Sequence, residues 1–256
     1  MKDLFSIKGK VAVVTGGSRG IGAMITRGFV ENGCKVYISA RKAGQVEGMA
    51  AEMSAVGTCI PVVADLSTKD GRAALVEAVA KDNDRLDILV NNAGATWGAP
   101  YAEYPEDGWD KVMDINLKSV FYLTQQFTPL LLKSGNQEDP ARVINIASID
   151  GIRVPAMETY AYSASKAGVI HMTSVLAKQL VKKSINVNAI APGPFESKMM
   201  AATLNAAGDM IKKQNPRGRI GEPEDMAGVS IFLASRASAY ITGVTIPCDG
   251  GLVGTT

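Results

Sequence analysis

The chain has 256 residues, 46% of them hydrophobic and 20% charged, which suits one α/β unit with a large core better than two domains. A formal net charge of +2, with no block of like charges, gives no footing for a nucleic-acid or membrane-surface partner. The apolar run Val11–Val14 is too short for a signal peptide, no stretch reaches the ~18 apolar residues of a membrane span, and Cys34, Cys59 and Cys248 are too far apart for a disulfide framework or metal site, so a soluble cytoplasmic protein is expected.

In chain order, short β-branched runs alternate with longer helical stretches. Val11–Thr15 reads as a strand and Ile21–Asn32 as a helix, then Lys35–Ala40 as a strand and Lys42–Ala55 as a helix. Cys59–Ala64 is the third strand, Asp70–Asp82 a helix and Ile88–Val90 the fourth strand. Leu117–Lys133 reads as a helix, Val143–Ala147 as a strand and Ser163–Lys183 as a helix, with Asn186–Ile190 and Val244–Pro247 as the last strands. Several strands are apolar on successive residues, so both their faces are buried, as a parallel sheet covered by helices requires. Repeated βα units with right-handed crossovers give an α/β, doubly wound, Rossmann-type sheet. Ligands bind beyond the carboxyl ends of its strands, where the strand order switches. The segment at about 195–222 breaks the rhythm. It is rich in Met and Ala, then basic at Lys212, Lys213, Arg217 and Arg219, and reads as an insertion over the site: a mobile lid or a fixed pair of surface helices.

Thr15-Gly16-Gly17-Ser18-Arg19-Gly20-Ile21-Gly22 follows the first strand and opens the first helix. Glycines there permit a tight turn and close approach of backbone to a pyrophosphate, which the free N–H groups and positive dipole end of the helix favour. Gly16, Ser18, Arg19, Gly20, Ile21 and Gly22 are the candidate phosphate-facing set, although the spacing differs from G-x-G-x-x-G. An enzyme selective for NAD carries an acid at the end of the second strand. Here Ser39-Ala40-Arg41 stands instead, and Arg41 with Arg19 suits the 2′-phosphate of NADP(H).

Tyr162-Ser163-Ala164-Ser165-Lys166 places a phenol and an amine one helical turn apart. A tyrosine at its usual pKa of about 10 is a poor acid or base at neutral pH, and a nearby ammonium favours the phenolate. Tyr162 is the candidate proton donor to a forming alkoxide, and Lys166 its partner and a holder of the nicotinamide ribose. Tyr160 has no lysine four residues on. Ser148, after the fifth strand, can donate to a carbonyl oxygen as charge develops there. Asn116, polar in an apolar helical setting, is a candidate to hold a water chain running to Lys166. Asn91-Asn92-Ala93-Gly94, after the fourth strand, would support the cofactor floor.

TGGSRGIG, Asp65, NNAG, Asn116, Ser148, YSASK and Pro192-Gly193 together resemble the short-chain dehydrogenase/reductase family over nearly the whole chain. The resemblance implies a seven-stranded parallel sheet with helices on both faces, in one domain spanning 1–256. It implies the catalytic roles of Asn116, Ser148, Tyr162 and Lys166. It also implies an adenine contact at Asp65, with Leu66 beside it, a ribose contact at Asn92, Ala93 and Gly94, and a nicotinamide contact at Pro192, Gly193 and Ser197.

Within that family the chain is similar to ketoacyl reductases, including the branch associated with rhamnolipid synthesis. The expected activity is NADPH-dependent reduction of a 3-oxoacyl group, free or linked to an acyl carrier. The alternatives are a dehydrogenase of a sugar, polyol or other small alcohol, and a non-catalytic NADP-binding regulator, which would be expected to lose Tyr162 or Lys166. A zinc-dependent dehydrogenase would need a cluster of His, Cys or acid ligands, and a Ser–His hydrolase would need the single His171 near a nucleophile, which nothing suggests. The rather apolar stretches Thr96–Trp97, Ile149–Met157 and Pro194–Met200 should line the substrate pocket. Apolar residues spread around the helices at Leu117–Leu131 and Val169–Leu180 need partners on both sides, so a homotetramer is expected.

Overall fold

The structure, a computed structural model, describes residues 3–255, so the outermost residues of the expected 1–256 unit lie outside the described residues. Seven strands form one sheet: β1 Val11–Thr15, β2 Lys35–Ala40, β3 Cys59–Val63, β4 Ile88–Asn91, β5 Ala141–Ile146, β6 Ile185–Pro192 and β7 Thr245–Cys248. Their order is β3-β2-β1-β4-β5-β6-β7, and every neighbouring pair is parallel. The chain winds outward from β1 to β3, then returns to lay β4 against the other side of β1. That reversal opens a crevice beyond the carboxyl ends of β1 and β4.

The helices are α1 Gly20–Glu31, α2 Ala43–Met53, α3 Lys69–Asp82, α4 Glu106–Met113, α5 Ser119–Ser134, α6 Tyr160–Leu180, α7 Ala201–Gln214 and α8 Pro223–Ala234. A π turn, Asp114–Lys118, joins α4 to α5. Successive strand residues point to opposite faces, and the sequence fills both. Ala12, Val14, Val36, Ile38, Ile88, Val90, Ile144 and Ile146 pack on Ile25, Phe29 and Leu233 of α1 and α8. Val13, Tyr37, Leu89, Val143 and Val187 pack on Leu75, Leu123, Phe127 and Leu180 of α3, α5 and α6. Among the described residues no helix is long and apolar enough to cross a membrane.

Both edge strands carry a proline, Pro61 in β3 and Pro247 in β7. The Ala64 N–H donates inward to the Ala40 carbonyl, and the Gly193 N–H donates to the Cys248 carbonyl. Since successive residues alternate sides, the prolines occupy outward-facing positions, where a missing N–H breaks no ladder bond.

The structure departs from the sequence expectations in a few places. β5 begins at Ala141, because Arg142, 1% exposed, stays in the strand by donating to the Ser235 carbonyl (2.8 Å) and the Asp139 carboxylate (3.2 Å). α6 begins at Tyr160, so Tyr162 sits in its first turn. α4 and α8 are additional helices. The 195–222 segment is α7 plus flanking turns, closed at its base by a bridge between Phe195 and Gly221. α7 is broken at Ala207, where φ is −143°.

Candidate active site

The turn after β1 owes its shape to glycine. Gly16 and Gly20 have φ of 64° and 52°, which most side chains avoid. A Cβ on Gly22 would collide with the Gly16 carbonyl and the Asn92 amide. Two further residues brace the turn from the β4 side. The Thr15 hydroxyl accepts from the N–H groups of Asn92 and Ala93, both at 2.9 Å, while the Asn92 amide donates to the carbonyls of Thr15 (2.8 Å) and Gly16 (3.2 Å). Bare backbone and the start of α1 thus face the crevice, a shape that fits a dinucleotide pyrophosphate.

At the β2 end of this crevice Arg19 and Arg41 are exposed, and neither joins a salt bridge among the described residues. Asp65 accepts from the Ser67 hydroxyl (2.7 Å) and N–H (3.1 Å). These hydrogen bonds, helped by the charge of Arg41, hold its carboxyl below the usual range. Leu66 beside it is buried. Two unpaired guanidinium groups with no acid at the end of β2 fit a phosphate on the adenosine ribose. On the opposite wall Ser197 stands over the turn, its Cβ 3.1 Å from where a Cβ on Gly20 would lie. Gly193, just past Pro192 at the end of β6, packs against Asp249 too closely for a side chain.

Ser148, Tyr162 and Lys166 converge at the carboxyl end of β5. The Lys166 ammonium is 5.5 Å from the centre of the Tyr162 ring and donates to the Ile146 carbonyl at 2.7 Å. Ser148 and Lys166 are 6% and 5% exposed. Burial pushes the Tyr162 phenol up to about 12; a hydrogen-bonding interaction with Ser148 opposes that rise and the charge of Asp150 adds to it. Burial also lowers Lys166 to about 8. In the protein alone the phenol is therefore raised rather than lowered, with desolvation the largest cause.

Asn116 lies in the π turn, 1% exposed. Its amide accepts from the Ala95 N–H (2.8 Å) and donates to the Ala95 carbonyl and the Ser165 hydroxyl, each at 3.0 Å. The side chain thus ties the loop after β4, with Gly94 against it, to α6 rather than reaching Lys166 itself. Ser165 was legible as the fourth letter of YSASK, yet nothing in the motif indicated this bond. Tyr160 is separate from the site: its hydroxyl donates to Glu158 and its ring packs edge-on against Tyr101 and Tyr104. Asp150, two residues beyond Ser148, falls within the expected pocket-lining stretch Ile149–Met157, but no motif singled it out.

Known proteins match this architecture throughout. The family model described as enoyl-(acyl carrier protein) reductase matches residues 16–253. The rhamnolipids biosynthesis 3-oxoacyl-[acyl-carrier-protein] reductase of Pseudomonas aeruginosa is 48% identical, over 98% of this chain and 99% of its own. A 2-dehydro-3-deoxy-D-gluconate 5-dehydrogenase of Dickeya dadantii is 39% identical, over 97% of each. The solved structure of a Pseudomonas aeruginosa RhlG/NADP active-site complex superposes with a TM-score of 0.95 at 48% identity, covering 99% of this chain and 100% of that one. The chain belongs to the short-chain dehydrogenase/reductase family.

Proposed function

We propose that this chain reduces a ketone, a 3-oxoacyl group, to a secondary alcohol at the expense of NADPH, with Tyr162 as the proton donor. The observation that carries this reading is the convergence of Ser148, Tyr162 and Lys166 at the carboxyl end of β5, beside the crevice that the glycine turn opens. NADPH, when bound, supplies the hydride for the carbonyl carbon.

The chain's own residues do the rest. Gly16, Ser18, Gly20, Ile21 and Gly22 receive the pyrophosphate, and Arg19 and Arg41 grip the 2′-phosphate. Asp65 and Leu66 flank the adenine. Asn92, Ala93 and Gly94 form the floor, and Pro192, Gly193 and Ser197 border the nicotinamide end. Ser148 donates a hydrogen bond to the carbonyl oxygen, which polarises it. As that oxygen gains charge, the Tyr162 O–H bond breaks and its proton completes the alcohol. Lys166 orients the ribose hydroxyls and, with a pKa near 8, can return a proton to the phenolate. Asn116 keeps the loop after β4 docked on α6.

The open flank of the site favours an acyl substrate over a sugar. Ile152, Val154, Met157 and Met199 are all substantially exposed, and Thr203 of α7 reaches the Met157 sulfur at 3.9 Å. The 195–222 segment, tied at its base and broken at Ala207, forms a lid over this flank. An acidic acyl carrier would meet Lys212, Lys213 and Arg217; Arg219 leaves that set because it is paired with Asp225. Exposed Phe121, Tyr122 and Val175 on α5 and α6 support assembly as a homotetramer. Three free cysteines suit the reducing cytoplasm, where we place the protein.

A panel assay following NADPH absorbance tests the reading. 3-Oxoacyl esters and thioesters should be turned over with a higher kcat/KM than diketones, sugars or quinones. Preference for a sugar would instead favour the activity named for the Dickeya relative.

A further inference from the structure

Asp150 lies beside the proposed proton donor and has no part in the reduction as described. It sits in a single 3-10 turn, Ile149–Gly151, directly after Ser148. Its N–H donates to the Ser148 hydroxyl oxygen at 3.1 Å, which leaves the hydroxyl proton free to point toward Tyr162. The turn lies flush on α6. A Cβ on Gly151 would come within 2.6 Å of the Lys166 backbone carbon and 2.7 Å of the Ala167 nitrogen, so only glycine permits this approach. The Asp150 backbone is thereby held beside Ser148 and against Lys166, one helical turn from Tyr162. The residue is half-buried, and among the described residues its carboxylate accepts no hydrogen bond and joins no salt bridge.

We propose that Asp150 is a positioning residue for Tyr162, its negative charge keeping the proton on the phenol and so setting the pH at which the site changes from proton donor to proton acceptor. The inference rests on the reductase reading above and deepens it. Converting a phenol to phenolate beside an existing carboxylate is disfavoured by like-charge repulsion, which is stronger where water is excluded. Burial in turn raises the Asp150 carboxyl, while Arg153 on the same segment opposes that rise. Among the acids on the elements packed around Tyr162, Glu106, Asp107 and Asp110 of α4 are exposed to solvent, and the rest are engaged elsewhere, which leaves Asp150 as the unpaired, half-buried one. Lys166 is on the Tyr162 helix. Asp114 and Lys118 of the π turn pair with each other, and Lys111 of α4 lies over the Trp97 ring. Glu158, just before α6, is bonded to Tyr160 and to the Tyr101 N–H. An oxidised nicotinamide would favour the phenolate, and a carboxylate at this position opposes that ionisation.

The test compares the native chain with Asp150→Asn and Asp150→Glu. Asparagine keeps the shape and removes the charge; glutamate keeps the charge. Tyrosines labelled with 13C at Cζ report phenol ionisation by NMR in the NADP+ complex, with the Tyr162 resonance assigned by its loss in Tyr162→Phe. The pH dependence of kcat/KM for alcohol oxidation provides a second reading. In Asp150→Asn the Tyr162 titration and the oxidation profile should both move to lower pH, by about half a unit or more. Asp150→Glu should stay near the native values. A Tyr162 resonance that responds to NADP+ yet titrates at the same pH in all three proteins overturns the role of Asp150 alone. A Tyr162 resonance indifferent to NADP+ overturns the active-site reading and this inference with it.

Discussion

At the scale of single residues, the site is built around a half-buried phenol and a buried amine that desolvation drives toward neutrality. Tyr162→Phe deletes the transferable proton while leaving the cofactor-facing surface intact. It should bind NADPH as the native chain does, measured by fluorescence titration, and lose roughly 100- to 10,000-fold in turnover. Lys166 makes a different prediction. Its amine falls from 10.5 to about 8 on burial. Between those values the unfolded chain holds more protons than the folded one, so stability rises with pH across that window and is lowest below about 8. Lys166→Met removes this penalty. Thermal denaturation should find that variant more stable than the native chain near neutral pH, on the order of 3 kcal/mol for a shift of this size. The gap should close above 10.5. Equal stability at neutral pH would mean that the bond from the ammonium to the Ile146 carbonyl offsets its desolvation.

At the scale of elements, the glycine turn is the part least able to change. Gly22→Ala places a methyl against the Gly16 carbonyl and the Asn92 amide that brace the turn. Isothermal titration should record weaker NADPH binding by tenfold or more, with the rest of the fold retained in circular dichroism. Legibility in the sequence follows the same division. The strands β1 and β2 are readable to the residue, because short runs rich in Val, Ile, Thr and Tyr, ended by a glycine turn or by Arg41, fit a strand. The start of β5 is obscured by two residues because a buried arginine, Arg142, looks like a strand end. Its anchor, the Ser235 carbonyl, is far off in sequence. α8 is hard to read although Glu222 and Asp225 form a capping box around Pro223, because its all-round apolar surface lacks a helical stripe. Ser148, Tyr162 and Lys166 could be named from spacing and strand position. The Asn116–Ser165 bond and the arrival of Asp150 could not, since each depends on how a turn packs against α6.

At the scale of the whole molecule, α5 and α6 turn one side of each helix into the core and leave Phe121, Tyr122, Leu132 and Val175 outside. Sedimentation velocity at micromolar concentration should find a tetramer, and charged substitutions at Phe121 and Val175 should lower the sedimentation coefficient. A native monomer would mean that these side chains are tolerated by solvent. Whatever the stoichiometry, Pro61 and Pro247 limit how copies can meet. Each deletes a donor from the outer margin of the sheet, so a ribbon running from one copy into the next would have a gap at either seam. Recognition between copies is left to side chains, whose identity sequence can tune. Backbone docking, which any extended peptide could imitate, is discouraged at both flanks, and so is templated stacking when the chain is made in excess.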